Sequence, residues 1–308
     1  MSPEVAEAQN ARPQTQELLK KSRISIVRLV DSMFLELNQT KKTQKFQDWL
    51  TTVSRFWRYS YSNQSLIRLH CPHATRVASR RLWAELGRTV LPDAEPIPIL
   101  APTYNGFSRF FIGVEVFDVS QTKGKPLPTI SWEMEGPSPI LKRIERAARH
   151  LGITVEDVSS ENYMGLALNR HHIHVHSGLS PADRASTLVH EYAHALLHME
   201  PEKGKRARKV FPKIDLEIQA EGVSYVVMKA LGQPTTAATY LAAHFHELIT
   251  RERIGRSLRN IVKASKEILR AFELTKRPRA AKTRQRTEGG NRRRSAPSKA
   301  TRVPWWVS

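Results

Sequence analysis

One segment constrains this chain more than any other: Leu188-Val189-His190-Glu191-Tyr192-Ala193-His194-Ala195-Leu196-Leu197-His198. Ser180-Pro181-Ala182-Asp183 just before it supplies an N-cap and a proline at the first helical position, so the segment is expected to be a helix. Spacing i, i+4 then places His190 and His194 on one face, about one turn apart, where they can hold one zinc ion, with Glu191 beside them to take a proton from water. Zinc requires a third protein ligand. Glu217 and Glu221, 23 and 27 residues after His194, share a face of an otherwise apolar predicted helix. Unpaired charges on a buried face are costly, and a divalent cation would neutralise both. Without a metal, the acids would instead pair with Arg206, Arg208 or Lys209. His198, four residues further along the face, either adds a ligand or hydrogen-bonds near the site. His171, His172, His174 and His176 look like a metal tract, but their predicted strand setting favours solvent-facing or edge positions, so they are left out of the site.

Around this helix the chain reads as α+β. Ile24 to Leu37, Thr43 to Tyr59 and Ala78 to Gly87 carry helical periodicity. Pro96 to Val119 switches to strand formers, with Asn105-Gly106 as a hairpin turn. Pro139 to His150 is a predicted helix. Thr154–Val158, Tyr163–Leu168 and His172–His176 are strand candidates, the last alternating histidines with aliphatics. Helices follow over Ile214–Leu231, Thr236–Leu248 and onward to Phe272. The boundaries expected are a disordered start (1–22), an α+β domain (23–128), a mostly helical domain with a small sheet (136–274) and a disordered basic tail (275–308).

Charge sets the partner class. Lys and Arg number 49 against 29 Asp and Glu, a net +20 in 308 residues. That excess favours polyanions, nucleic acid first. Residues 276–308 carry eleven Lys or Arg and one acid, with few apolar residues to offset the entropy of ordering. The single Cys71 excludes an intrachain disulfide framework. No apolar run approaches the roughly 20 residues of a membrane span, and the polar start lacks a signal region. No membrane association and a cytoplasmic location are therefore expected.

The stretch from His174 through Glu217-Ile218-Gln219-Ala220-Glu221-Gly222-Val223-Ser224-Tyr225 resembles the zinc metallopeptidase-like domain of the ImmA/IrrE family, in the version found in ArdC-type antirestriction proteins. The resemblance implies Glu217 as the third ligand and leaves Glu221 as second choice. Upstream, Tyr61-Ser62-Asn63-Gln64-Ser65-Leu66-Ile67, Ala74-Thr75-Arg76-Val77-Ala78, Trp83-Ala84-Glu85-Leu86-Gly87-Arg88 and Val116-Phe117-Asp118-Val119-Ser120-Gln121-Thr122 are similar to the N-terminal domain of ArdC-type proteins, which is associated with single-stranded DNA. Relatives often have glycine- and lysine-rich turns after the Gly-Arg pair; this chain has Pro92-Asp93-Ala94-Glu95-Pro96. The similarity covers about residues 25 to 272. It implies a zinc-dependent peptidase that binds single-stranded DNA and cleaves a protein partner. The competing reading is a non-catalytic antirestriction or stress-response accessory protein whose zinc site is structural or vestigial.

Arginine interleaved with aromatics suits single strands, where guanidinium groups meet phosphates and rings stack on bases. Candidates for DNA contact are Arg58, Tyr59, Tyr61, Arg68, Arg76, Arg80, Arg81 and Arg88. The alternative is a solvated basic face over an aromatic core, and Trp57 and Trp83 sit at core spacing. Trp305-Trp306 in the tail either stack on bases or dock on a partner.

Overall fold

Apolar residues at three- and four-residue spacing dominate the chain, and the computed structural model turns them into helices α1 (Pro3–Phe34), α2 (Gln39–Arg55), α3 (Tyr61–His70), α4 (Arg80–Glu85), α5 (Pro137–Leu151), α6 (Pro181–Leu197), α7 (Lys213–Ala230), α8 (Ala237–His244) and α9 (Arg251–Leu274). The strands are β1 (Val77–Ala78), β2 (Arg88–Val90), β3 (Ile97–Tyr104), β4 (Arg109–Asp118), β5 (Thr122–Gly124), β6 (Thr154–Val158), β7 (Gly165–Asn169) and β8 (His172–His176). The class is α+β. The structure describes residues 3–36, 38–104, 109–127, 137–199, 212–248 and 250–275. The Asn105-Gly106 turn and the basic tail with Trp305-Trp306 lie outside them.

The start of the chain differs from expectation. α1 begins at Pro3 rather than near Arg23, and Thr15, Leu18 and Ser22 are buried. These three recur at helical spacing in a polar stretch, a stripe too narrow for composition to reveal. Leu18 packs with Leu66 of α3 and Leu100 of β3. Its methyl group also lies where a Cβ on Gly113 would fall, 2.7 Å away.

β3 and β4 form the expected antiparallel hairpin, Ile97 opposite Val116 through Tyr104 opposite Arg109, and β1 adds to the other side of β4. Side-chain staples fasten this unit. The Asn63 amide both donates to and accepts from the Leu100 backbone at 2.9 Å. The buried Asp118 carboxylate accepts from the amides of Thr75, Arg76 and Ser120 at 2.7 to 3.0 Å, and the Trp83 indole donates to Phe117 O at 2.9 Å. Each bond satisfies a polar group that burial would otherwise leave costly.

One apolar cluster runs from α1 and α2 into the second half of the chain. Phe46 stacks on Phe245 with ring centroids 3.9 Å apart, and Thr51 and Tyr225 share a hydroxyl hydrogen bond of 3.1 Å. α5, α6, α7 and α9 pack together there, and Gly222 lets α7 and α9 approach: a Cβ at 222 would meet Ile261 at 2.4 Å. In the sheet order β6-β8-β7, β8 runs parallel to β6 and antiparallel to β7. Ile173 and Val175 of β8 are fully buried toward α6, which leaves the histidines on the opposite face. β8 is thus the central strand of this sheet and not an edge. Among the described residues, no helix is long and apolar enough to cross a membrane.

Candidate metal centre

Ser180 caps α6 as its position suggests, accepting from the Asp183 amide at 3.2 Å, with Pro181 opening the helix. Regular helix from Pro181 onward brings His190 and His194, one turn apart, to one face. Their Nε2 atoms are 3.0 Å apart, and Glu217 Oε2, delivered by α7, lies 3.5 Å from each. Two imidazole nitrogens and one carboxylate oxygen thus converge within 4.8 Å of one another. Ligands about 2.0 to 2.2 Å from a tetrahedral ion sit roughly 3.3 Å apart, so this donor set fits a divalent metal.

The charge balance also asks for a cation. Burial would by itself lower the His190 pKa, yet hydrogen bonds to Glu217 and Glu221 and the nearby charge of Glu191 raise it to about 10. Those same bonds from His190 and His194 hold the Glu217 carboxyl well below the usual carboxylate range. The acids gather positive charge at this point, and a proton on imidazole is what a metal would replace.

Each histidine has a partner on its far side. Glu221 Oε1 lies 3.4 Å from His190 Nδ1, the ring nitrogen not facing His194. His198 Nδ1 lies 2.9 Å from His194 Nδ1, and its Nε2 is 3.4 Å from Gln219 Oε1, which also accepts from Asn260 at 2.8 Å. Burial and the charge of His194 lower the His198 pKa to about 4, so its ring is neutral and its Nδ1 can accept a hydrogen bond from His194 Nδ1. Glu221 and His198 therefore sit where groups that orient metal-bound imidazoles usually sit. Of the alternative partners for the acids, Arg206, Arg208 and Lys209 lie outside the described residues.

Glu191, next to His190 on α6, turns toward β7. It is only 6% exposed and is pressed against β7, where Gly165 makes room for it and the Ala167 backbone hydrogen-bonds its carboxylate. Burial raises its pKa above the usual value, against the charges of His190 and His194, which lower it. A carboxylate poised upward in this way is a better proton acceptor than an exposed one.

Residues 148–272 match the family model of the IrrE N-terminal-like domain, the M78 peptidase family. Over this stretch the chain is similar to IrrE-like domains. Two solved structures are similar to the chain, both the antirestriction protein ArdC from plasmid R388. The metal-free form is 15% identical with a TM-score of 0.44, covering 76% of this chain and 99% of that one. The Mn(II)-bound form is 16% identical with a TM-score of 0.40, covering 74% and 99%. No curated protein sequence matches the chain significantly. The matched stretch contains the whole His190, His194 and Glu217 cluster, a donor set consistent with a divalent metal.

Upstream of the matched stretch, the DNA-contact candidates divide into two groups. Arg58 pairs with Glu273 and lies 4.6 Å over the Trp57 ring, and burial lowers its pKa to about 10. Tyr59 and Tyr61 are turned inward, their hydroxyls raised to about 12 by burial. Arg68 donates to Thr52 Oγ1 at 3.1 Å, and Arg88 clamps β2 to β5 through Thr122, Gly124 and Lys125. Arg80 and Arg81 are exposed, Arg80 over the Phe117 ring and Arg81 beside Glu85, whereas Arg76 is half-buried. Sequence reasoning missed a pocket of about 260 Å³ between α1 and α3, apolar at its wall and lined by Lys21, Ile24, Ser25, Arg28, Leu69 and His70. Its signal, cations at helical spacing on α1, falls in the stretch taken for the margin of a disordered start.

Proposed function

We propose that the chain is a zinc-dependent peptidase that acts on a protein partner at single-stranded DNA. Glu191 carries this reading. A structural metal site has no use for a third, buried carboxylate beside its ligands, and burying one is costly unless it does something there. Zinc held by His190, His194 and Glu217 would supply Lewis-acid polarisation of water and of a scissile carbonyl. Glu191 accepts the proton that water loses on attack and returns it to the leaving amine. β7 is an edge strand among the described residues and touches Glu191 at Gly165 and Ala167. An extended substrate adding to that edge would lay its backbone along the carboxylate. The net charge of +20 and the exposed Arg80 and Arg81 support nucleic-acid binding.

The test compares wild type with Glu191→Gln for zinc content and for cleavage of unfolded protein substrates with and without single-stranded DNA. Equal zinc and a loss of about 10² to 10⁴ in rate are expected for removal of a general base. A variant with zinc and full activity overturns the role of Glu191. Zinc without hydrolysis in wild type favours an accessory, antirestriction-type binder instead.

A further inference from the structure

The four histidines of the Arg170–His176 stretch do not behave alike. His171 Nδ1 meets the Gly152 carbonyl at 2.8 Å, and His176 Nδ1 accepts from the Gly178 amide at 2.9 Å, so both are tied to local turns. His172 and His174, two apart on β8, share the outer face of the sheet. The parallel pairing sets Glu156 of β6 opposite His174 and Thr154 opposite His172. Glu156 therefore rises between the two rings: its Oε2 is 2.9 Å from His172 Nε2 and 3.5 Å from His174 Nε2.

We propose that Glu156, His172 and His174 form a second divalent-metal site, of the zinc type, on the face of the sheet opposite the α6 centre. The three donor atoms lie within 4.8 Å of one another. The two separations bracket the roughly 3.3 Å edge of a tetrahedral zinc site with bonds near 2.0 to 2.1 Å. A simple ion pair accounts for the 2.9 Å contact but leaves His174 too far for a good hydrogen bond. His174 is nevertheless held in place: the Tyr163 hydroxyl lies 3.2 Å from its Nδ1, with the two rings within 20° of parallel. An outer partner on the far ring nitrogen is how metal-binding histidines are usually oriented. Glu156 is more than half exposed and both histidines are partly so, which gives an ion and its remaining waters access from solvent. Such an ion would bridge β6 to β8 and pin the sheet whose inner face supports Glu191.

The experiment measures zinc bound by the full chain after equilibrium dialysis, for wild type, His172→Gln/His174→Gln and His190→Gln/His194→Gln. Wild type should hold about two equivalents and each double variant about one, because each removes two of three ligands from a different centre. Failure of the α6 centre alone would show as one equivalent in wild type that the His172/His174 variant loses. A second readout uses wild type only, so folding of a variant is not at issue: zinc should slow carbethoxylation of His172 and His174 relative to exposed His73. Two equivalents in the His172/His174 variant, or no protection of these two rings in wild type, would overturn the second site.

Discussion

Gly165 lies directly against the side chain of Glu191: a Cβ at residue 165 would fall 2.7 Å from Glu191 Oε1 and 2.6 Å from Thr187 Cγ2. No real Cβ tolerates such contacts, and the carboxylate is the flexible party. The glycine thus reserves the position that the proposed proton acceptor occupies.

Gly165→Ala should displace Glu191 without touching a metal ligand. A misplacement near 1 Å costs about 10²-fold in rate where geometry governs the chemistry. Zinc analysis beside a cleavage assay checks this: metal content unchanged, turnover down. Lost metal with Gly165→Ala would mean that the sheet shifts α6 as a whole.

Glu217 and Glu221 should separate in metal affinity. Glu217 Oε2 faces both Nε2 atoms, whereas Glu221 meets His190 on its other nitrogen. Glu217→Ala should abolish tight binding, and Glu221→Ala should weaken it about 10- to 100-fold, as loss of an orienting partner does. Competition titration against a chromogenic chelator reads both, and the reverse order would exchange their roles.

Stability should depend strongly on Asp215. Its carboxylate is fully buried and takes hydrogen bonds of 3.0 Å from Arg253 Nε to both oxygens, joining α7 to α9. Removing one partner of a buried pair costs about 3 to 5 kcal/mol, chiefly because the other charge stays behind. Urea denaturation of Asp215→Ala should show a loss of that size; a loss under about 1 kcal/mol would mean that water reaches Arg253 freely.

DNA binding should have two separable parts. Deleting residues 276–308 removes ten net positive charges, so the salt dependence of affinity should flatten. The ratio of single-strand to duplex affinity should stay unchanged, because flexible arginines in the tail attract the phosphates of both forms alike. Titration of both DNA forms at several salt concentrations, with and without the tail, decides between this and a tail that accounts for all of the affinity.

Local geometry alone settles part of this molecule. An i, i+4 pair of histidines after a Ser-Pro cap needs only a helix to share a face, and α6 provides it. Period-two alternation likewise puts the β8 histidines on one side and Ile173 and Val175 on the other. Partners from distant segments are different. Glu217 and Glu221 are one turn apart on the same helix, and only the way α7 packs on α6 sets them on different nitrogens of His190. The motif residues Asn63 and Asp118 hold backbone together rather than facing solvent, because the hairpin folds back onto α3 and the turn before β1. Arg58 and Arg88 look like DNA contacts in sequence, yet packing supplies each with an internal acceptor. Glu156 meets His172 and His174 only through the parallel pairing of β6 with β8. Parallel register depends on contacts across a crossover, which no local pattern encodes.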